Sequence, residues 1–324
     1  MKVSVVIPSY NRAYIIREAI ESALDQTYGD FELIIVDDGS SDQTGDLVAQ
    51  IRDARIRYIA HERNRGYSAA CNTGIAAATG DLVAFLDSDD LWAPDYLQQQ
   101  VALLTRHPEV DAVFTDTEVR GEGGIPSLMG AMKIFPKLLE AHPGAEEFVV
   151  SGRQMYLCLL EEVPIKPTAF IVKREVLGKA GGFDEAWPSG TDWDLFIRIS
   201  RLACFGYIPK PLVVQRRTPD ATHQKFREQD KVFLLKVFTE EQKTVSNDPE
   251  AAQALSRGIK GHCDNLAYHY LYTGRRGKAL GVYLRGFSQT HDSSMLAKAV
   301  AALMPLKARQ SMKQIFGKAR TARV

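Results

Sequence analysis

The chain predicts an α/β fold: a mostly parallel sheet with helices on both faces, followed by a helical C-terminal region. Three observations point there. Over the first hundred residues, short strands that are apolar throughout alternate with amphipathic stretches. Strands apolar on both faces belong in a sheet covered on both sides. Acidic and glycine-containing turns follow those strands, and ligands bind at the strands' carboxyl ends in such sheets. From about residue 226 the pattern turns helical and the charge changes sign. Residues 1–225 carry 23 basic and 32 acidic side chains, whereas residues 226–324 carry 17 and 8. Two regions are therefore expected, 1–225 and 226–324.

Element by element, Val3–Ile7 is a β-branched run stopped by Pro8. Ile15, Ile16, Ala19, Ile20, Ala23 and Leu24 then repeat at helical spacing, with Asn11 placed to cap. Phe31–Val36 is a second apolar run, ended by Asp37-Asp38-Gly39-Ser40. A helix through Leu47, Val48 and Ile51 follows, then a strand at Arg57–Ala60, a helix over 68–78, and a strand at Leu82–Leu86. Residues 121–165 are weakly patterned and predict a long, partly helical excursion over the sheet edge. Order returns at Ala169–Val172 and near Gly181-Gly182-Phe183-Asp184. Helices are predicted over 226–244, 249–272, 275–288, 293–304 and 306–320.

Composition narrows the class. The 45% hydrophobic and 25% charged fractions are ordinary for a globular protein. Forty Lys and Arg balance forty Asp and Glu, so no basic field announces nucleic acid. Cys71, Cys158, Cys204 and Cys263 lie far apart with no C-x-x-C pair, which disfavours a zinc site or disulfide scaffold and suits a reducing compartment. Met295–Leu306, the most apolar C-terminal stretch, is broken by Lys298 and Pro305 and falls short of the ~20 residues that span a bilayer. The expected location is cytoplasmic, with peripheral contact at the inner face of the cell membrane. No G-x-G-x-x-G follows the first strand, which argues against a dinucleotide dehydrogenase.

The strongest chemical signal is Leu86-Asp87-Ser88-Asp89-Asp90, three carboxylates directly after an apolar strand. Like charges so close raise one another's pKa unless a cation sits among them. Oxygen ligands suit Mg²⁺ or Mn²⁺, and Mg²⁺ needs only one or two carboxylates beside substrate phosphates. An acidic turn capping the next helix is the plainer reading, and the place at a strand's carboxyl end weakens it. In Ile34–Asp42 (IIVDDGSSD), Gly39 permits a tight turn and Asp42 can cap the next helix. Those roles leave Asp37 and Asp38 unexplained at the end of a core strand, where a carboxylate could accept from a nucleobase N–H. Pro8-Ser9-Tyr10-Asn11 offers an aromatic face for base stacking, a weak signal alone.

In this order and spacing, VSVVIPSYNR at 3–12, IIVDDGSS at 34–41, Asn64-Arg65-Gly66, LDSDD at 86–90, GGFDE at 181–185 and Asp192-Trp193-Asp194-Leu195 resemble the family 2 glycosyltransferases over about residues 1–220. The resemblance implies a GT-A fold, with 1–115 as a nucleotide-sugar-binding half and 116–225 as an acceptor-binding half. It also implies inverting, metal-dependent transfer of a hexose, with a UDP-sugar as the expected donor and a glycan or lipid-linked hydroxyl as acceptor. Pro8, Tyr10 and Asn11 would line the base pocket, with Asp38 and its neighbour Asp37 at the uracil edge. Asn64 and Gly66 would belong to the donor site. Asp87, Ser88 and Asp89 would face ribose and sugar, while Asp89 or Asp90 would hold Mn²⁺ or Mg²⁺ on the pyrophosphate. Asp192 matches the catalytic base.

The chain departs from the family pattern at two places. Thr191 stands where Glu commonly precedes the base, so altered positioning is expected. Arg216-Arg217-Thr218 lacks the histidine that often follows an arginine there, which leaves His223 as an additional candidate metal ligand. Trp187, Trp193 and Tyr207 could stack a sugar ring, with core packing expected for at least two. The remaining histidines, His61 among them, form no metal-spaced cluster and read as background. Ser293–Val324 holds seven Lys and Arg and no acid. Ala308, Met312, Ile315, Phe316 and Ala319 fall on one helical face, a pattern that suits an anionic membrane surface. Two other functional classes compete: a non-catalytic nucleotide-sugar binder, which would be expected to lose Asp192 or the acidic cluster, and a Mg²⁺-dependent phosphohydrolase with Asp87 as nucleophile.

Overall fold

The computed structural model describes residues 1–121, 123–140, 144–218 and 227–304. They divide into two compact units, Met1–Asp230 and the chain from Lys231 onward.

In the first unit the strands are β1 (Val3–Ser9), β2 (Phe31–Asp37), β3 (Ile56–Ala60), β4 (Leu82–Phe85), β5 (Leu91–Trp92), β6 (Ala112–Arg120), β7 (Phe148–Val150), β8 (Phe170–Lys173) and β9 (Phe205–Arg216). They form one sheet of order β3-β2-β1-β4-β8-β6-β9-β5, with β7 also on β9. The half β3-β2-β1-β4 is wholly parallel. Beyond it β8 runs antiparallel to both β4 and β6, and β6 pairs parallel with β9. β1 and β2 are paired from Val3↔Phe31 to Ser9↔Asp37, and Leu86 N–H reaches Val6 O at 2.9 Å. The chain therefore leaves β1, β2 and β4 at the same edge.

Burial explains the parallel half. Val3, Val5, Ile7, Leu33, Ile35, Leu82 and Ala84 are fully buried in one cluster with Ile16, Ala19 and Ile20 of α1 (Ile16–Leu24). Helix α3 (Tyr67–Ala77) lies against the sheet at Gly74, where a Cβ would collide with the Val6 side chain. Asn11 does not cap α1. It takes a positive φ of 52°, and its Oδ1 accepts from Ser41 N–H at 2.8 Å, tying the β1 exit to the β2 exit. Asp42 does serve the next helix, α2 (Thr44–Gln50), by accepting from Thr44 N–H at 3.0 Å.

The second half of the sheet was less legible. β5, β6, β7 and β9 are additions to the expected strands. β9 is twelve residues long and contains Pro209 and Pro211, the residue type least expected inside a strand. It is accommodated by register shifts on either side of Asp116 in β6. The 121–165 excursion holds α5 (Phe135–Glu140) and α6 (Gly152–Leu159). Glu162 caps α5, its Oε1 accepting from Phe135 N–H at 2.7 Å, and Ser151 with Gln154 forms a capping box on α6. This unit also holds α4 (Tyr96–Arg106), α7 (Arg174–Ala180) and α8 (Thr191–Ser200).

Helix α9 (Arg227–Glu241) runs into the second unit, which continues as α10 (Pro249–Tyr272), α11 (Arg276–Thr290) and α12 (Ser293–Leu303). These match the ranges expected from periodicity to within three residues at each end. Pro249 at the first turn and the Asp248 carboxylate accepting from Ala251 N–H start α10. The expected helix at 306–320 lies outside the described residues. No described helix is long and apolar enough to cross a membrane.

Candidate donor and catalytic site

The β2 exit is a hydrogen-bonded turn centred on two buried carboxylates. Asp37 Oδ1 accepts from Ser40 N–H at 2.8 Å and Oδ2 from the Tyr58 hydroxyl at 2.5 Å. Asp38 Oδ1 accepts from Arg65 N–H at 2.9 Å and Oδ2 from Gly66 N–H at 2.7 Å. Its Oδ1 also meets His61 Nδ1 at 2.7 Å, and His61 Nε2 meets Thr73 Oγ1 at 2.9 Å. Asp38 thus folds the Asn64-Arg65-Gly66 loop onto the sheet edge. Gly39 takes a φ of +75° here, and a Cβ on it would come within 2.5 Å of the Arg63 carbonyl carbon. Tyr10 stands 44% exposed beside this turn, in contrast to buried Ser9; the pattern leaves an aromatic face open where a base could stack.

Sequence spacing gave no sign of His61. It lies two dozen residues from Asp38 and shares no metal-like pattern with other histidines. It is nonetheless the side chain that holds Asp38 from the far side. Replacing His61 with Ala removes a hydrogen bond to a buried charged group, a loss of about 1.5–3 kcal/mol. Chemical denaturation of the variant should show that decrease, and an unchanged unfolding midpoint would mean that the pair contributes nothing.

The acidic cluster after β4 separates into different environments. Asp87 is pushed up to about 7, first by burial and next by the charge of Asp89; the Tyr67 hydroxyl, donating to Asp87 Oδ1 at 3.0 Å, opposes this. Asp192 raises Asp87 further and Lys166 lowers it, so both lie within electrostatic reach of the cluster. Asp89 remains partly exposed. Its Oδ2 accepts from the Thr218 hydroxyl at 3.1 Å and lies 3.9 Å from an Arg12 nitrogen. Asp90 is buried, with Oδ1 accepting from Arg216 N–H at 3.0 Å. Its Oδ2 is shut off from solvent without a hydrogen bond of ordinary geometry. Burial pushes its carboxyl well above the usual range, with the nearby Thr168 hydroxyl acting against it. Asp90 therefore secures β9 to the turn, and Asp89 carries the metal-ligand expectation.

Neighbouring residues in sequence offered no cation for this cluster. The fold supplies Arg12 from the β1 exit, while Arg216 at the end of β9 donates through Nε to Asp89 O and pairs with Glu18 at 2.6 Å. Among the described residues, no three His, Cys, Asp or Glu side chains are grouped to hold a metal ion by themselves. A Mg²⁺-type cation takes one or two carboxylates and completes its shell with substrate phosphates. Partly exposed Asp89 beside Asp87, whose charge is poorly compensated, fits such an ion. His223 lies outside the described residues.

Asp192 enters from α8. Gly190 precedes the helix with a φ of 79°, and Asp192 stands in the first turn, where the helix N-terminus favours a negative charge. Among the described residues, no donor occupies its carboxylate. The position is fixed by its neighbours. Thr191, which replaces the family's usual acid, is buried and shares a 2.9 Å hydrogen bond with Ser68 of α3. Trp193 Nε1 donates to Leu159 O at 2.7 Å, and Arg198 links Asp194 Oδ2 at 2.7 Å to Gly182 O at 2.7 Å. The GGFDE segment is docked on α3 by Asn72, whose Oδ1 accepts from Phe183 N–H at 2.9 Å. Phe183 packs edge-on against Phe85 and against Tyr67, whose hydroxyl donates to Asp87. Of the aromatic candidates for sugar stacking, Tyr207 is buried among Phe114, Phe135 and Phe148. The Trp193 ring nitrogen is committed to the backbone, and Trp187 is half-buried.

The parallel strand exits, the acidic turn after β4 and a carboxylate on α8 stand together here in a fold of GT-A type. The sequence model of glycosyl transferase family 2 matches residues 4–177, and the chain belongs to that family. It is similar to a UDP-Glc:alpha-D-GlcNAc-diphosphoundecaprenol beta-1,3-glucosyltransferase, WfgD, of Escherichia coli, with 40% identity over 105 residues (32% of this chain, 42% of that one). It is also similar to the succinoglycan biosynthesis protein ExoO of Rhizobium meliloti, with 50% identity over 99 residues (31% of this chain, 28% of that one). The chain spans between about a quarter and a half of the curated relatives it matches. In fold it is similar to Staphylococcus aureus TarS 1–349 in complex with UDP-GlcNAc, with TM-score 0.70 and 19% identity over 93% of this chain and 84% of that one. A second likeness, to the Pyrobaculum calidifontis mannosyltransferase PcManGT in complex with GDP-Man and Mn²⁺, has TM-score 0.53 and 22% identity over 98% and 87% of the two chains.

Proposed function

We propose that this protein is an inverting, metal-dependent glycosyltransferase that moves a hexose from a UDP-sugar to a hydroxyl of a glycan or lipid-linked acceptor. The observation that carries the reading is the convergence of Asp87, Asp89 and Asp192 beside the β1 and β2 exits. The TarS structure with UDP-GlcNAc and the lipid-diphosphate-linked acceptor in the WfgD name support the donor and acceptor classes. Peripheral placement at the inner face of the cell membrane belongs to the same reading.

Pro8, Tyr10 and Asn11 surround the base, with Tyr10 offering its exposed ring. Asp38 has three protein donors on its oxygens and keeps one of its roughly four acceptor sites for a base N–H; Asp37 supports it. Asn64 and Gly66 belong to the loop that Asp38 folds against the donor. Asp87 and Ser88 face the ribose and sugar. Asp89 would hold Mn²⁺ or Mg²⁺, which supplies neutralisation of the charge on the departing diphosphate. Asp192 accepts the proton of the acceptor hydroxyl as its oxygen attacks the anomeric carbon from the face opposite the diphosphate. One C–O bond forms, the sugar–phosphate bond breaks, and the configuration inverts.

Thermal unfolding with nucleotide sugars, with and without Mn²⁺, tests the donor class. A ligand at a hundred times its Kd stabilises by about 2.7 kcal/mol, so UDP-sugars with Mn²⁺ should raise the transition clearly. No stabilisation by any nucleotide sugar under either condition would count against the reading.

A further inference from the structure

We propose that one end of the C-terminal helical unit is a docking face for an anionic lipid bilayer, built from Tyr268, Tyr272 and Leu303 with Arg276 and Lys278 of the first turn of α11. The inference rests on the reading of a membrane-borne acceptor and gives that reading a surface. Two ion pairs set the geometry. Lys260 on α10 pairs with Asp292, which caps α12, at 2.5 Å, and Asp264 on α10 pairs with Lys298 on α12 at 2.5 Å. Both helices therefore advance in the same direction, and residues beyond Asp264 and Lys298 lie toward one common end. Helix α11 begins there too, since Arg276 follows the α10 terminus closely.

Apolar groups that would ordinarily be buried are open at that end. Tyr268 is 67% exposed, Tyr272 83%, Val300 59% and Leu303 57%. The rings of Tyr268 and Tyr272 are stacked, with centroids 6.5 Å apart and planes 22° from parallel. A cluster of exposed large apolar side chains marks an interaction surface. Charge identifies the partner. Residues 264–304 hold five Lys and Arg and two acids; Asp264 is paired with Lys298 and Asp292 with Lys260, which leaves Arg275, Arg276, Lys278 and Arg285 as the basic excess. Arg276 and Lys278 are exposed in the first turn of α11, and Lys278 Nζ lies 5.3 Å from the Tyr270 ring centroid.

Tyrosine rings settle at the headgroup level of a bilayer, and long basic side chains lay their stems on apolar surface while the charge meets the headgroups. An anionic glycan would also be met by flat rings and cations. It offers nothing to the aliphatic Val300 and Leu303, whereas an acyl boundary does.

Sedimentation of the full chain with vesicles tests the proposal. Protein should pellet with phosphatidylcholine vesicles containing phosphatidylglycerol, remain in solution with phosphatidylcholine alone, and be released by salt. The variant Tyr268→Ser/Tyr272→Ser/Leu303→Ser should partition at least about tenfold more weakly, since binding scales with the apolar area inserted. Arg276→Gln and Lys278→Gln should each weaken it about fivefold. These side chains are exposed, and far-ultraviolet circular dichroism checks that the helices persist. Variants that sediment like the wild type would overturn the proposal. So would variants that keep vesicle binding and lose binding to an anionic polysaccharide, which would assign the face to a glycan. Calorimetric binding of UDP with and without Mn²⁺ is measured alongside. Its absence in the wild type would speak against the metal-dependent donor reading and leave the vesicle result standing.

Discussion

Asp192→Asn is expected to lower kcat by about 10²–10⁴-fold while leaving the donor Kd nearly unchanged. The range is that of general-base assistance. An amide has almost the size and hydrogen-bonding outline of the carboxylate but cannot take the acceptor proton. The structure makes this a clean substitution. Thr191 is fixed through Ser68 and Trp193 through Leu159 O, so the backbone at 192 does not depend on the Asp192 side chain. Single-turnover transfer and calorimetric donor binding separate the two effects. Turnover within about threefold of the wild type, too small a change for loss of a base, would remove Asp192 from the mechanism.

Asp89→Asn should abolish Mn²⁺-dependent UDP affinity with little loss of fold. Asp89 is the partly exposed member of the cluster, and its Oδ2 has Thr218 and a distant Arg12 as partners, contacts that an amide oxygen can keep in part. Asp90→Asn should behave differently. Asp90 is buried against Arg216 N–H, so its replacement should disturb the anchoring of β9 before it disturbs the metal. Calorimetry of UDP with and without Mn²⁺ distinguishes them. Unchanged metal-dependent binding in Asp89→Asn would exclude Asp89 as the ligand.

The parallel half of the fold was readable because each strand there is buried on both faces, so its sequence is apolar throughout and its end is marked by a change to Asp, Gly and Ser. The helices of the second unit were readable for a similar reason, with periodic apolar positions and plain start signals such as Asp248-Pro249. Strand β9 was hidden. Pro209 and Pro211 deny the ladder two N–H groups, and only the neighbouring bulge in β6 shows how the pairing survives. Strands β5 and β7, of two and three residues, are too short to carry any periodicity.

For the site, the sequence by itself determined the residue types and their order: Asp37 and Asp38 after one strand, the Asp87–Asp90 cluster after another, and Asp192 ahead of a helix. Strand exits impose local patterns that survive in one dimension, and so these were legible. Tertiary structure alone decided how the acids divide their work. Asp90 is turned to β9, Asp87 is held by Tyr67 and raised by burial, and Asp89 stays open. It also decided that His61 supports Asp38, that Arg12 brings positive charge to a cluster with no basic neighbour in sequence, and that the Arg216 backbone N–H meets Asp90. The physical reason is that burial and charge compensation depend on distance in space, and these partners come from residues tens to more than a hundred positions away along the chain.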